Sequence, residues 1–146
     1  MSANIPKPED SIGYALHLAS FVFKTAMKSH FKAAGLDITP EEFVFLFSVP
    51  EGGDTQRNLT KAALKDKTTI TRMVDRLVGK GWVERHENPE NRREQIISTT
   101  SSGLQLKGQL LPTVFQLVSK ATAGIDAGDL EITKKTLRHL TANLRD

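Results

Sequence analysis

The stretch Asp66-Lys67-Thr68-Thr69-Ile70-Thr71-Arg72-Met73-Val74-Asp75-Arg76-Leu77-Val78-Gly79-Lys80-Gly81 reads as one amphipathic helix, from Lys67 to about Lys80. Asp66 caps its start and Gly81 stops it. At about 100° per residue, Ile70, Met73, Val74, Leu77 and Val78 share one arc, the expected buried face. Thr68, Thr69, Arg72, Asp75 and Arg76 fall on the opposite arc, with Lys67 and Thr71 on its flanks. Small hydroxyl residues on the first turn let that end approach base edges, and its free N–H groups favour a phosphate. Arginines one and two turns on reach the DNA backbone or a guanine edge. The same arcs also fit a solvated amphipathic helix, so the neighbouring segments decide.

Upstream, Thr55-Gln56-Arg57-Asn58 starts a short helix to about Leu64, with Leu59, Ala62 and Ala63 facing inward. Two short helices joined by a few residues make a helix-turn-helix. Downstream, Val83-Glu84-Arg85 and Gln95-Ile96-Ile97-Ser98 are short strand candidates around the turn-rich Glu87-Asn88-Pro89-Glu90-Asn91-Arg92-Arg93. That predicts a hairpin whose charged tip presents Arg92 and Arg93. Arginine on an extended arm suits a narrow minor groove, although such a tip also serves as a solubilising surface turn.

Farther out, Ser11 opens a helix to about Ala34, closed by Gly35. Its apolar residues, among them Ile12, Leu16, Phe21, Phe23, Met27 and Phe31, wrap most of the circumference. A helix of that kind is covered on several sides, and in a chain of 146 residues a second subunit is the expected cover. Thr39-Pro40-Glu41-Glu42 is a capping box, which commits the strand-like Phe43-Val44-Phe45-Leu46-Phe47 to a buried helix; Pro50 to Gly53 then break the chain. Thr100 caps a helix to about Ala123 with Leu104, Leu111, Val114, Phe115 and Val118 as its apolar set, and Pro112 is expected to kink it. Asp126 caps a final helix striped by Leu130, Leu137, Leu140 and Leu144. The expected fold is mainly α with a small β-hairpin wing: a winged helix-turn-helix domain plus a helical dimerisation region, in the order α1-α2-α3-α4-wing-α5-α6. Residues 1–10 read as a flexible arm, 11–38 and 101–146 as the dimerisation region, and 39–100 as the winged helix-turn-helix domain.

Composition narrows the function. The chain is 38% apolar and 25% charged, with a net charge of +3. From Arg57 to Arg93 there are ten Lys/Arg against five Asp/Glu, a basic middle suited to phosphates. It has no cysteine, so disulfides and thiol chemistry are excluded. Four scattered histidines (His17, His30, His86, His139) offer no metal-ligand spacing, and neither metal nor cofactor is expected. No nucleophile–base pairing or phosphate-binding glycine loop points to an enzyme. No apolar run approaches the ~20 residues of a membrane span, and the start lacks a signal-peptide pattern. A soluble, cytoplasmic protein is expected.

Several motifs together are similar to those of the MarR (multiple-antibiotic-resistance regulator) family. They are Thr69-Ile70-Thr71-Arg72-Met73-Val74-Asp75-Arg76-Leu77, Lys80-Gly81-Trp82-Val83-Glu84-Arg85, Asn88-Pro89-Glu90-Asn91-Arg92-Arg93 and the helix start Thr100–Gly103. Ile12-Gly13-Tyr14 and Gly35-Leu36-Asp37-Ile38-Thr39-Pro40 match in the flanking helices, so the resemblance covers about nine-tenths of the chain. Two positions depart from it. Asn91 replaces a customary aspartate that pairs with the arginine at Arg93, and Leu64-Lys65 replaces the usual glycine of the turn, Lys65 adding a phosphate contact.

The resemblance implies a homodimer whose reader helices enter successive major grooves of a palindromic operator in double-stranded DNA. It implies contacts from Lys65, Lys67, Thr68, Thr69, Thr71, Arg72, Arg76, Arg92 and Arg93. It also implies a repressor released by a small aromatic or anionic effector, in a crevice lined by His17, Phe21, Phe43, Phe47 and Phe115. Those aromatics read more readily as core. The alternative is a winged helix used for protein–protein contact, which salt would distinguish, because DNA binding by several Lys/Arg weakens steeply as salt rises.

Overall fold

Ser11 and Gly35 set the ends of the first helix. In the computed structural model, which describes residues 7–63 and 65–145, the Tyr14 N–H donates to Ser11 Oγ at 3.1 Å and α1 runs Ile12–Ala33. Gly35, at φ 73°, turns the chain left-handed, and the Leu36 N–H donates back to the Phe31 carbonyl at 2.9 Å. Before α1, Pro8–Asp10 form one 3₁₀ turn where a loose arm was expected; residues 1–6 of that arm lie outside the described residues.

The capping box forms as written. Thr39 Oγ1 accepts the Glu42 N–H at 3.1 Å, Glu42 Oε2 accepts the Thr39 N–H at 3.2 Å, and α2 runs Pro40–Ser48. Phe45 and Leu46 are buried, and Phe43 packs between Phe31 (ring centroids 5.6 Å apart) and Phe47 (4.6 Å). Local capping therefore overrides the strand-like composition. Thr55 Oγ1 accepts the Asn58 N–H, starting α3, Gln56–Ala63. Leu59 is buried as expected, but Ala62 is exposed and Ala63 only half-buried. Leu64, part of the anticipated turn, lies outside the described residues.

Helix α4, Lys67–Gly79, is capped by Asp66 and followed by Gly81 at φ 77°. Ile70, Met73, Val74 and Leu77 are buried; Val78, expected with them, is 36% exposed. The sheet holds three antiparallel strands in the order β1-β3-β2, with β1 at Asp54–Thr55, β2 at Val83–Asn88 and β3 at Asn91–Thr99. The expectation of a hairpin alone missed β1. Gly53, at φ 85°, lets it close on β3: a Cβ there would lie 2.7 Å from the Ile97 carbonyl oxygen. Both hairpin strands are longer than expected, and Asn88 pairs with Asn91, leaving Pro89-Glu90 as the tip. Arg92 and Arg93 therefore belong to β3 rather than to a loop.

Thr100 ties the wing to α5, Ser101–Ala121: its Oγ1 accepts the Gly103 N–H at 3.0 Å and donates to the Gly81 carbonyl at 2.5 Å. α5 stays helical through Pro112. Its buried positions in this part are Gly103, Leu106 and Leu110. The expected Leu104 and Leu111 are exposed instead, because Gly103 seats its own face against the Trp82 carbonyl. The chain divides within α5 into two units, one ending at Val114 and the other starting at Phe115. The second unit holds the end of α5 and α6, Ala127–Leu144, capped by Asp126. There Leu117 is buried while the expected Phe115 and Val118 are exposed; Leu130, Leu137 and Leu140 are half-buried and Leu144 is exposed. Among the described residues, no helix is long and apolar enough to cross a membrane.

Candidate nucleic-acid interface

The first turn of α4 is built by Asp66. Its Oδ1 accepts the Thr69 N–H at 2.8 Å and its Oδ2 the Thr69 hydroxyl at 2.7 Å. These two bonds, the hydroxyl's first, hold the Asp66 carboxyl below the usual carboxylate range. The capped end leaves Lys65, Lys67, Thr68 and Arg72 on the exposed side of the helix. Among the described residues, neither the Thr68 hydroxyl nor the Arg72 guanidinium has a hydrogen-bond partner, so both can take one from outside.

Three of the expected contact residues are committed inside the chain. Thr69 spends its hydroxyl on the cap. Thr71 donates to the Lys67 carbonyl at 2.8 Å and accepts from Gln56 Nε2 at 3.0 Å, which clamps α4 to α3. Arg76 places Nε 2.9 Å from Oε1 of Glu42, although its side chain stays half exposed. Glu42 is buried at 1% exposure; Lys80 Nζ lies 3.6 Å from its other oxygen. Burial pushes the Glu42 carboxyl up, but the Thr39 N–H, Arg76 and Lys80 outweigh it and hold the carboxyl below its ordinary value. Glu42 was legible as a capping residue; its pairing across 34 residues was not.

The wing is tied to the reader helix through Arg85, whose Nη2 donates to Asp75 Oδ1 at 2.5 Å. On β3, Arg92 and Arg93 are exposed. Asn91 Oδ1 accepts the Arg93 backbone N–H at 3.1 Å, so the amide that replaces an aspartate shapes the turn through the main chain. A cleft of about 580 Å³ is lined by Gln56, Arg57, Thr60, Lys67, Arg93, Glu94 and Gln95. It brings the start of α4, the start of α3 and the wing strand to one surface with three cations. Arg57 and Gln56 were not expected here. The signal was their place at the N-terminus of the first helix of the pair, where side chains lie beside the bound backbone.

The expected effector residues differ in burial. Phe43 and Phe47 are half-buried ring neighbours in the first unit. His17 is exposed on α1, Phe21 is 63% exposed, and in the second unit Phe115 is 65% exposed. Lys107, which sequence reading overlooked, holds Nζ 5.5 Å from the Phe47 ring centroid and donates to the Val49 carbonyl at 3.4 Å. Burial pushes its ammonium down.

Known proteins resemble the chain in sequence and fold. The sequence profile of the MarR family matches residues 38–95. The multiple antibiotic resistance protein MarR of Escherichia coli is 34% identical over 105 residues, spanning 70% of this chain and 73% of that protein. The HTH-type transcriptional repressor NicR of Pseudomonas putida is 29% identical over 99 residues, 67% of this chain and 63% of that protein. Among solved structures, a MarR mutant from E. coli complexed with operator DNA superposes with a TM-score of 0.81 at 29% identity, covering 88% of this chain and 92% of that one.

Proposed function

The chain belongs to the MarR family of transcriptional regulators, and we propose that it is a homodimeric, sequence-specific repressor that binds a palindromic operator. The observation that carries this reading is the cleft where Lys67 from the reader helix meets Arg93 from the wing and Arg57 from α3. A surface used only for protein contact has no need of Lys67 and Arg93 converging beside a capped helix start, with Arg57 there paired to Glu94. Family membership also makes it a regulator rather than an enzyme.

Within that surface, Thr68 faces the bases, Lys65, Lys67 and Arg72 hold the backbone, and Arg92 and Arg93 follow the minor groove, while Thr69 fixes the cap and Arg57 lies beside Glu94 at 4.0 Å. Thr71 and Arg76 act from behind, as the clamp on α3 and the partner of Glu42. The repressor assignment is supported by the name of the NicR relative. The dimer is supported by uncovered apolar side chains in each unit: Ile12, Leu18, Phe21 and Val22 in the first, Phe115, Val118 and Ile132 in the second. A second copy of the chain covers them. Phe43, Phe47 and Lys107, two rings and a cation within the first unit, suit a small aromatic carboxylate as effector.

Selection from random double-stranded DNA, followed by gel shift across a salt series, tests the reading. An enriched inverted repeat with half-sites about one helical turn apart, bound less tightly as salt rises, is expected. No enrichment together with a flat salt response would favour the protein-partner alternative.

A further inference from the structure

Resting on that DNA-binding reading, we infer that Glu42 is a positioning residue for sequence recognition: its carboxylate withholds Arg76 and Lys80 from DNA and so fixes the face that α4 presents. Glu42 sits on α2, outside the reader helix, and is the buried charged side chain among the described residues. One carboxylate meets three groups. Oε1 takes Arg76 Nε at 2.9 Å; Oε2 takes the Thr39 N–H at 3.2 Å and lies 3.6 Å from Lys80 Nζ. Arg76 and Lys80 are one turn apart on the C-terminal half of α4 and just past it, so the grip resists rotation of the helix about its axis.

Two physical points give this grip a function. A capping box needs only an acceptor at this position, and glutamine supplies one, so the cap does not explain a buried charge. Arg76 also lies four residues from Arg72, hence on the same side of the helix. Released from Glu42, Arg76 would reach for any phosphate, adding affinity that carries no sequence information. Lys80 is held further by the Asp37 carbonyl at 2.7 Å and by the Trp82 ring at 4.8 Å, which leaves Arg76 as the group with most freedom to gain. Glu42 thus exchanges non-specific attraction for a fixed orientation of Thr68 and Arg72.

Glu42→Gln keeps the volume and the cap while removing the charge. Its binding to the selected operator and to unrelated duplex is measured by fluorescence anisotropy across a salt series, alongside thermal melts. Operator affinity is expected to fall about tenfold. Binding to unrelated duplex should hold or rise, with its salt slope steeper by about one per protomer. Adding Arg76→Gln should return that slope to the wild-type value. A second variant, Arg76→Lys, retains the charge but alters the grip, and should lose operator affinity with an unchanged non-specific slope. Equal fractional losses on both DNAs, in either variant, would overturn the proposal and leave Glu42 a part of the fold only. Wild-type protein with no preference for any sequence would instead overturn the DNA-binding reading, and this inference with it.

Discussion

Arg72→Ala and Arg76→Ala, one turn apart on α4, should fail in opposite ways. Arg72 is exposed and has no partner among the described residues, so removing it leaves stability within about 0.5 kcal/mol of wild type. Its loss is felt on DNA. With Lys65, Lys67, Arg72, Arg92 and Arg93 all on phosphates, a dimer makes about ten contacts and the slope of log K against log salt is about −9. Over a fourfold rise in salt that is a loss of about 10⁵ in affinity. Without Arg72 in each protomer the slope falls to about −7, and the same salt step costs roughly tenfold less. Arg76→Ala acts on the fold, because it leaves the buried Glu42 carboxylate with Lys80 and the Thr39 N–H alone. Discounted for the half-exposed arginine, that costs about 1–2 kcal/mol, or about 2–4 °C in Tm per kcal/mol. Anisotropy titrations at several salt concentrations, paired with thermal melts, separate the two. An Arg72→Ala protein that melts early yet keeps the wild-type salt slope would refute the assignment of that face.

Three further outcomes follow from the packing. Gly103→Ala pushes a methyl into the Trp82 carbonyl and Thr99 Cγ2, and should cost about 1–3 kcal/mol, read as a lower melting temperature. Leu18→Glu alters a side chain that is 46% exposed in the single chain, so it should be harmless to a monomer but convert a dimer to monomer in sedimentation. Glu42 has a depressed folded-state pKa, so its contribution is fully present above the ordinary glutamate range and is lost as pH falls through the folded value. Acid melts of wild type should therefore lose stability below about pH 4 more steeply than those of Glu42→Gln.

What was legible in the sequence was chiefly what is local. Ser11, Thr39, Asp66, Thr100 and Asp126 all cap the helices they announce, since capping bonds span three residues. The arc of α4 held for Ile70, Met73, Val74 and Leu77, and failed at its edge with Val78. Non-local partners decided the rest. β1 is two residues long and exists through pairing with Ile96 and Ile97, more than forty residues away. β2 and β3 run into the charged segment because their solvent faces carry Glu and Arg, which hides the alternation that marks a strand. In α5, side-chain size pointed to Leu104 and Leu111, whereas the close approach of Gly103 turned Leu106 and Leu110 inward. On the candidate interface, Lys67, Thr68, Arg72, Arg92 and Arg93 are exposed, as an interface requires. Arg76 shares their outward arc and Thr71 flanks it, but they are captured by Glu42 and Gln56, and no helical wheel contains those partners.

If the first turn of α4 reads base edges, changing Thr68 changes the sequence the protein selects. DNA selection is run in parallel with wild-type protein and with Thr68→Asn, which offers adenine a bidentate amide. Two inverted repeats that differ only at one position, mirrored in the two half-sites, are expected. Identical motifs from the two proteins would contradict this expectation, and would place the reading of sequence somewhere other than α4.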